Sequence, residues 1–232
     1  MSFGGVVCAS GLQVAPTTLS LQASQNADGI WLSNIGNDVV HAQVRVYHWT
    51  QDGQGDQLVP SRGLIISPPM LQLMSGDRQL IRIIRTTPPP IGKGSVEDAY
   101  RLAIDELPIG TQGKPGLKFV LHYSVPIFIE PADSASLSPQ LQWSLQPGDK
   151  GVALQVSNNG NGHAQLAGVS YIDASGHRTE ITQGLLGYVL PGSTMRWTLK
   201  PPAAVFTAGG VLETMINGEK VTQSLSLADH SR

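Results

Sequence analysis

Gly116-Leu117-Lys118-Phe119-Val120-Leu121-His122-Tyr123-Ser124-Val125-Pro126-Ile127-Phe128-Ile129 is the stretch that decides the fold. Its odd positions run Leu, Phe, Leu, Tyr, Val, Ile, Ile, while the even ones begin Gly, Lys, Val, His, Ser, Pro. Period-two alternation in β-branched and aromatic residues marks a β-strand. From Leu117 to Ile129 that strand would span roughly 40 Å, two to three times the usual length. Proline cannot donate to a ladder, so Pro126 points to a sheet edge or a bulge. Proteins normally blunt a long apolar edge because it aggregates. One that is kept is expected to find a pairing partner, and another chain qualifies.

The composition around it agrees. With 26 glycines, 16 prolines and 14% charged residues in 232, the chain reads as short strands and frequent turns, not a helical bundle. A net charge of −2 argues against a general nucleic-acid binder or a polybasic membrane anchor. No run approaches the ~20 apolar residues of a membrane span, so no membrane insertion is expected. Cys8 is the only cysteine, which removes intramolecular disulfides and cysteine-based zinc sites. Val7-Cys8-Ala9 has the small-residue look of a cleavage site, so 1–9 reads as the tail of an export signal. A floppy N-terminus is the alternative these residues leave open.

In chain order, 12–21, 29–34, 41–49, 64–66, 80–85 and 97–107 read as strands, the last against a competing short helix. The stretch 132–139 is small and polar and makes the best boundary. Beyond it, strand-sized pieces recur at 141–145, 152–157, 163–172, 185–190, 194–199, 211–216 and 221–227, separated by turns such as Asn217-Gly218. The expectation is an all-β chain of two immunoglobulin-like β-sandwich domains: 10–131, ending in the long strand, and 140–232, with 132–139 as linker.

Several of these segments together resemble a family. They are Leu32-Ser33-Asn34, the strand 43–49, Ser67-Pro68-Pro69, Gln79-Leu80-Ile81-Arg82, the strand 97–108 and the stretch 117–131. The chain resembles the periplasmic pilus-assembly chaperones of the chaperone–usher type, the PapD-like proteins. The likeness covers the first domain; the second matches only in strand pattern and in Phe206-Thr207-Ala208-Gly209-Gly210. It implies a boomerang of two sandwiches and a last strand of the first domain lent to an incomplete pilus or fimbrial subunit. It also implies delivery to an outer-membrane usher and a periplasmic location, with no cofactor. Leu117, Phe119, Leu121 and Tyr123 then correspond to the residues that fill the subunit's groove. Self-association of the free protein through its apolar edge is a further expectation.

Two departures from the family pattern bear on the site. The cleft arginine and lysine that usually anchor the subunit's C-terminal carboxylate fall at Thr18 and Pro126. Tyr100-Arg101-Leu102 and Tyr123–Phe128 instead resemble the divergent, archaic branch. A carboxylate wants a multi-donor cation, so Arg101 is the candidate anchor and Lys118 the second choice; a solvated strand charge is the competing reading for each. Arg82 and Glu97 match a family ion pair at the domain junction, whose third member, an aspartate, falls at Thr207; a merely local bridge competes.

Catalytic chemistry has little support. His41, His48, His122, His163, His177 and His230 are scattered without metal-ligand spacing and read as surface or turn histidines. No serine sits in GxSxG, and no glycine cluster makes a phosphate loop. An enzyme and a metal site are therefore not expected. The alternative function is a structural or adhesive sandwich protein, a pilus subunit or surface Ig-like module. A carbohydrate-binding sandwich ranks lower, since Trp31, Trp49, Trp143 and Trp197 are spread along the chain.

Overall fold

A computed structural model describes residues 11–53, 55–108, 120–132, 136–148 and 151–227. In the first part of the chain it places β1 (Leu12–Ala15), β2 (Leu19–Leu21), β3 (Ala27–Asn34), β4 (Val40–Asp52), β5 (Gly55–Pro60), β6 (Leu64–Ser67), β7 (Met70–Leu73), β8 (Arg78–Arg85), β9 (Asp98–Glu106) and β10 (His122–Ile129). Then come β11 (Leu141–Gly148), β12 (Gly151–Asn158), β13 (Ala164–Asp173), β14 (Arg178–Val189), β15 (Thr194–Thr198), β16 (Gly210–Ile216) and β17 (Glu219–Leu225). A single 3-10 turn, Ala203–Val205, is the one helical element among the described residues.

The chain divides into two compact units. The first runs up to Trp49 and adds Leu58–Ile91 and Asp98–Ala132; the second takes Thr50–Gln57, Gly92–Glu97 and the chain from Asp133. The first unit packs the sheet β1-β3-β8-β6 on the sheet β2-β10-β9-β4-β5, with β7 also paired to β4. Alternate residues of each strand supply its core: Ile30 and Leu32 from β3, Ile81 and Ile83 from β8, Leu102 and Ile104 from β9, Val125, Ile127 and Ile129 from β10. The second unit packs β11-β12-β15 on β14-β13-β16-β17 around Leu154, Val156, Leu166, Tyr171, Phe206 and Leu212. Each unit is thus a two-layer sandwich of the immunoglobulin kind, antiparallel except where β2 runs parallel to β10 in the first.

Several expectations need adjusting. The segment expected at 97–107 is the strand Asp98–Glu106, as its Tyr100/Leu102/Ile104 alternation and closing proline indicate, and not a helix. Among the described residues the long strand runs over His122–Ile129; its expected beginning at Leu117 lies, with the rest of 109–119, outside the described residues. β5 and the first half of β14 go beyond the strands expected from sequence. Every residue of β5 from Asp56 to Pro60 is exposed, so it carries no apolar alternation.

The two units are built on one plan, announced by a repeat in the sequence: Ser33-Asn34-Ile35-Gly36-Asn37 and Ser157-Asn158-Asn159-Gly160-Asn161. Asn34 accepts from Gly36 N–H (3.0 Å) and donates to the carbonyls of Asp38 (2.7 Å) and Leu73 (3.1 Å). Asn158 accepts from Gly160 N–H (2.9 Å) and donates to the carbonyls of Gly162 (2.8 Å) and Val189 (3.0 Å). The turns that follow also match, Gly76 N–H donating to Asn34 O and Gly192 N–H to Asn158 O. This equivalence maps β3 onto β12, β8 onto β15, β9 onto β16 and β10 onto β17. The last pair differ in how they begin: Asn217 (φ 50°) and Gly218 (φ 87°) form a tight turn from β16 into β17, whereas residues 107–121 separate β9 from β10.

Candidate functional site

β10 is paired on one side along its whole length by β9, from His122↔Asp105 to Ile129↔Asp98. On the other side β2 covers only Ile127–Ile129, in parallel. Among the described residues no strand lies beside the first half of β10 on that side, which makes it an open edge. Glu106 N–H donates to Leu121 O (2.9 Å), so the odd residues of β10 exchange their backbone bonds with β9. The even residues direct theirs outward. The exposed His122 and Ser124 thus present N–H and C=O to any strand laid alongside. Pro126, which has no N–H to offer, sits just where β2 takes over, the placement edge prolines favour.

Side chains on the odd face change character along the strand. Val125, Ile127 and Ile129 are sealed in the unit's own core. Tyr123 and Leu121 pack against that core but are only partly covered. The core thus runs out onto an accessible rim. The Tyr123 hydroxyl donates to Leu12 O (2.6 Å), tying β10 to β1 of the facing sheet; burial and the nearby Glu106 carboxylate push its pKa up. Leu117, Lys118 and Phe119 lie outside the described residues.

The strand register also places Arg101. It stands opposite Pro126 on β10 and opposite Tyr47 on β4, and the parallel register of β2 carries Thr18 to the same row. The positions of the family's two missing cations and the candidate substitute therefore share one line across the sheet. Arg101 is half-buried, its guanidinium 3.6 Å from the centre of the Trp49 ring. Such stacking fixes the plane of the guanidinium and so the directions its N–H groups take. Trp49 carries no signal as part of a site in the sequence, although its place two residues beyond Tyr47 on β4 puts it beside Arg101.

On the same outer face, Asp105 joins three strands. It accepts from Arg45 (2.6 Å, β4) and stands 2.6 Å from His122 Nδ1 (β10). Partial burial pushes the Asp105 carboxyl up, but the bonds from Arg45 and His122 outweigh it and hold it below the ordinary carboxylate range. The start of the open edge is held in place by this bridge.

Glu97 and Arg82 fall in different units. Glu97 is buried, and its Oε2 takes the backbone N–H of His163 (2.9 Å) with the His163 ring Nδ1 at 2.7 Å. His163 is therefore no surface histidine; its side chain is 19% exposed. Arg82 is exposed on β8, opposite Gly29 of β3. Thr207 donates its hydroxyl to Ala204 O (3.0 Å). Among the described residues no group of three His, Cys, Asp or Glu side chains is arranged to hold a metal, and no helix is long and apolar enough to cross a membrane.

Two Ig-like sandwiches, one of them with a half-open sheet edge, make a class of β protein whose edge can pair with an added strand. The family model described as "Pili and flagellar-assembly chaperone, PapD N-terminal domain" matches residues 11–135, more than half of the chain. The chain belongs to this family, and is a pilus-assembly chaperone. No curated protein matches it. Among solved structures it is similar to a chain of the CsuC–CsuE chaperone–tip adhesion subunit pre-assembly complex from the archaic Csu pili of Acinetobacter baumannii, at TM-score 0.71 and 24% identity over 94% of this chain and 99% of that one. It is also similar to a chain of the Salmonella enterica SafA pilin–SafB chaperone complex (TM-score 0.64, 18% identity, 92% and 96% covered). The CupB2 chaperone of Pseudomonas aeruginosa is a third (TM-score 0.60, 20% identity, 91% and 98% covered). At these identities the structural likeness speaks to the fold.

Proposed function

We propose that the chain is a periplasmic chaperone that lends the strand at about 117–129, by its half not covered by β2, to a pilus subunit lacking one strand, and delivers it to an outer-membrane usher. The observation that carries this reading is the open edge of β10: backbone groups of His122 and Ser124 facing outward, beside an apolar face that leaves the core at Tyr123 and Leu121. In the Csu and Saf structures a chaperone is seen together with a subunit, which supports the same partner class here. Burying four side chains such as Leu117, Phe119, Leu121 and Tyr123 is worth on the order of 6–12 kcal/mol. Association costs on the order of 4–15 kcal/mol. Main-chain bonds at ~1 kcal/mol each therefore decide whether the complex holds. No nucleotide is needed, since the subunit's own folding supplies the free energy.

Arg101 anchors the subunit's C-terminal carboxylate in this scheme, standing in the row of Thr18 and Pro126 with its guanidinium plane set by Trp49; Lys118 is the second choice. Left without a subunit, the same edge favours self-association. The test is co-expression with a pilus subunit from a neighbouring gene. Wild type should carry the subunit as a soluble complex, and Leu117→Glu/Leu121→Glu should not. Survival of the complex in that double variant refutes strand donation. Arg101→Ala should weaken capture while the free chaperone stays folded; an unchanged complex removes Arg101 as anchor.

A further inference from the structure

The common plan of the two units exposes a difference between them. In the first, the far edge of β8 is covered: β6 pairs with it from Leu64↔Arg85 to Ser67↔Arg82, and Leu64 is buried in the core. In the second, β15 takes the place of β8, but its sheet stops there; among the described residues no strand lies on its far edge. The chain accounts for the gap. Between β5 and β7 it leaves one sheet for the other to make β6, whereas β14 runs on along β13 past the register shifts near Gln183-Gly184. β14 has no excursion corresponding to β6.

The uncovered place is shaped to receive something. An open groove of about 360 Å³ lies there, lined by Ile181 and Leu186 of β14 and by Trp197, Leu199 and Lys200 at and beyond the end of β15. Trp197 and Gly187 are so close that a Cβ on Gly187 would meet the indole at 2.9 Å, which fixes the groove's floor. Leu199 N–H donates to Val152 O (2.7 Å), so the odd residues of β15 bond to β12. The exposed Thr194, Arg196 and Thr198 therefore direct their N–H and C=O into the empty place. Arg196 and Lys200 also line the groove, and no acidic side chain does among the described residues.

We propose that β15 accepts an extended segment of another polypeptide as an added strand, one apolar side chain filling the groove and an acidic residue meeting Arg196 or Lys200. Strand addition of this kind gains affinity from main-chain bonds and selectivity from the pocket. It is distinct from the donating edge of β10, which lies on the other unit and offers a strand's apolar face where β15 offers a slot.

The test uses the isotope-labelled full chain titrated with the peptide Thr-Ile-Thr-Leu-Asp-Asp and read by amide chemical shifts. Shifts should gather on 194–200 and on Leu185 and Leu186. Replacing both aspartates of the peptide by lysine should weaken binding roughly tenfold. Thr198→Pro removes an outward N–H without touching the ladder to β12 and should weaken it by a similar factor. Arg196→Glu/Lys200→Glu is confined to exposed side chains; it should weaken binding to the same extent and replaces the proline variant if that one does not fold. Equal binding by these variants, or by the lysine peptide, overturns the proposal, as do shifts gathered on 120–126. Concentration-dependent dimerisation that moves the same β15 amides assigns the slot to a second copy and overturns the acidic-partner reading.

Discussion

Replacing Asn34 or Asn158 by alanine tests the shared plan directly. Both are almost fully buried, and Asn34 makes three side-chain hydrogen bonds. Asn158 makes four, adding an acceptor bond from Gln140 N–H (3.1 Å). A net ~1 kcal/mol per bond, together with the carbonyls left buried and unpaired, predicts a loss of about 2–4 kcal/mol for Asn34→Ala and about 3–5 for Asn158→Ala. Since a domain of this size loses about 4–8 °C of Tm per kcal/mol, thermal unfolding of the affected unit should fall by roughly 8–32 °C for Asn34→Ala and roughly 12–40 °C for Asn158→Ala. The two residues belong to different units, so the double variant should show the sum of the single losses. Asn158→Asp keeps the acceptor but turns a carboxylate toward the Gly162 and Val189 carbonyls, so it should be at least as damaging as alanine at neutral pH. A loss below about 1 kcal/mol for either alanine variant, or tolerance of the aspartate, refutes the idea that this side chain closes each sandwich.

Ser124→Pro should leave the free chaperone nearly as stable as wild type, because its N–H faces the open edge. It should weaken a subunit complex about 2–13-fold, the worth of one main-chain bond, as read by competition for a labelled subunit. The Asp105 bridge should show in acid. Its carboxyl is held down in the folded state, so its contribution is present above the ordinary carboxylate pKa of about 3.9 and lost as pH falls through the lowered value. Asp105→Asn should flatten that acid limb of the Tm–pH curve by about 0.5–1 kcal/mol and leave the slope near neutral pH unchanged. At Gly63, a Cβ would run into the Tyr100 hydroxyl, and that hydroxyl donates to Asp98 (2.7 Å). Gly63→Ala should therefore cost about 1–3 kcal/mol in denaturant unfolding, from overpacking at that contact.

The fold is readable in the sequence where a strand has one wet face and one dry one. β3, the first half of β4 and β8 alternate between a buried and a wetter face, and their residues alone place them. β5 escapes, since an edge strand exposed on both faces carries no alternation for the chain to display. The open edge itself follows from Pro126, a backbone argument that survives in one dimension. The row of Thr18, Pro126 and Arg101 does not, because a row across a sheet depends on register, which distant residues set together. His163 looks like a surface residue for the same reason: nothing local reveals that Glu97 comes to lie 2.7 Å from its ring. The repeated Ser-Asn-x-Gly-Asn is present in the sequence and reveals the doubled plan by simple self-comparison.

The two ways of entering the last strand of each sandwich have a kinetic corollary. β17 follows β16 through Asn217-Gly218, so that hairpin is a local contact able to zip within microseconds. β10 must instead return to β9 across residues 107–121, a closure dearer by roughly 2 kcal/mol in chain entropy. In a refolding experiment, hydrogen exchange should therefore protect the β16–β17 amides before those of β9 and β10. The pairing that holds the edge strand of the first sandwich is thus set to form after its counterpart in the second.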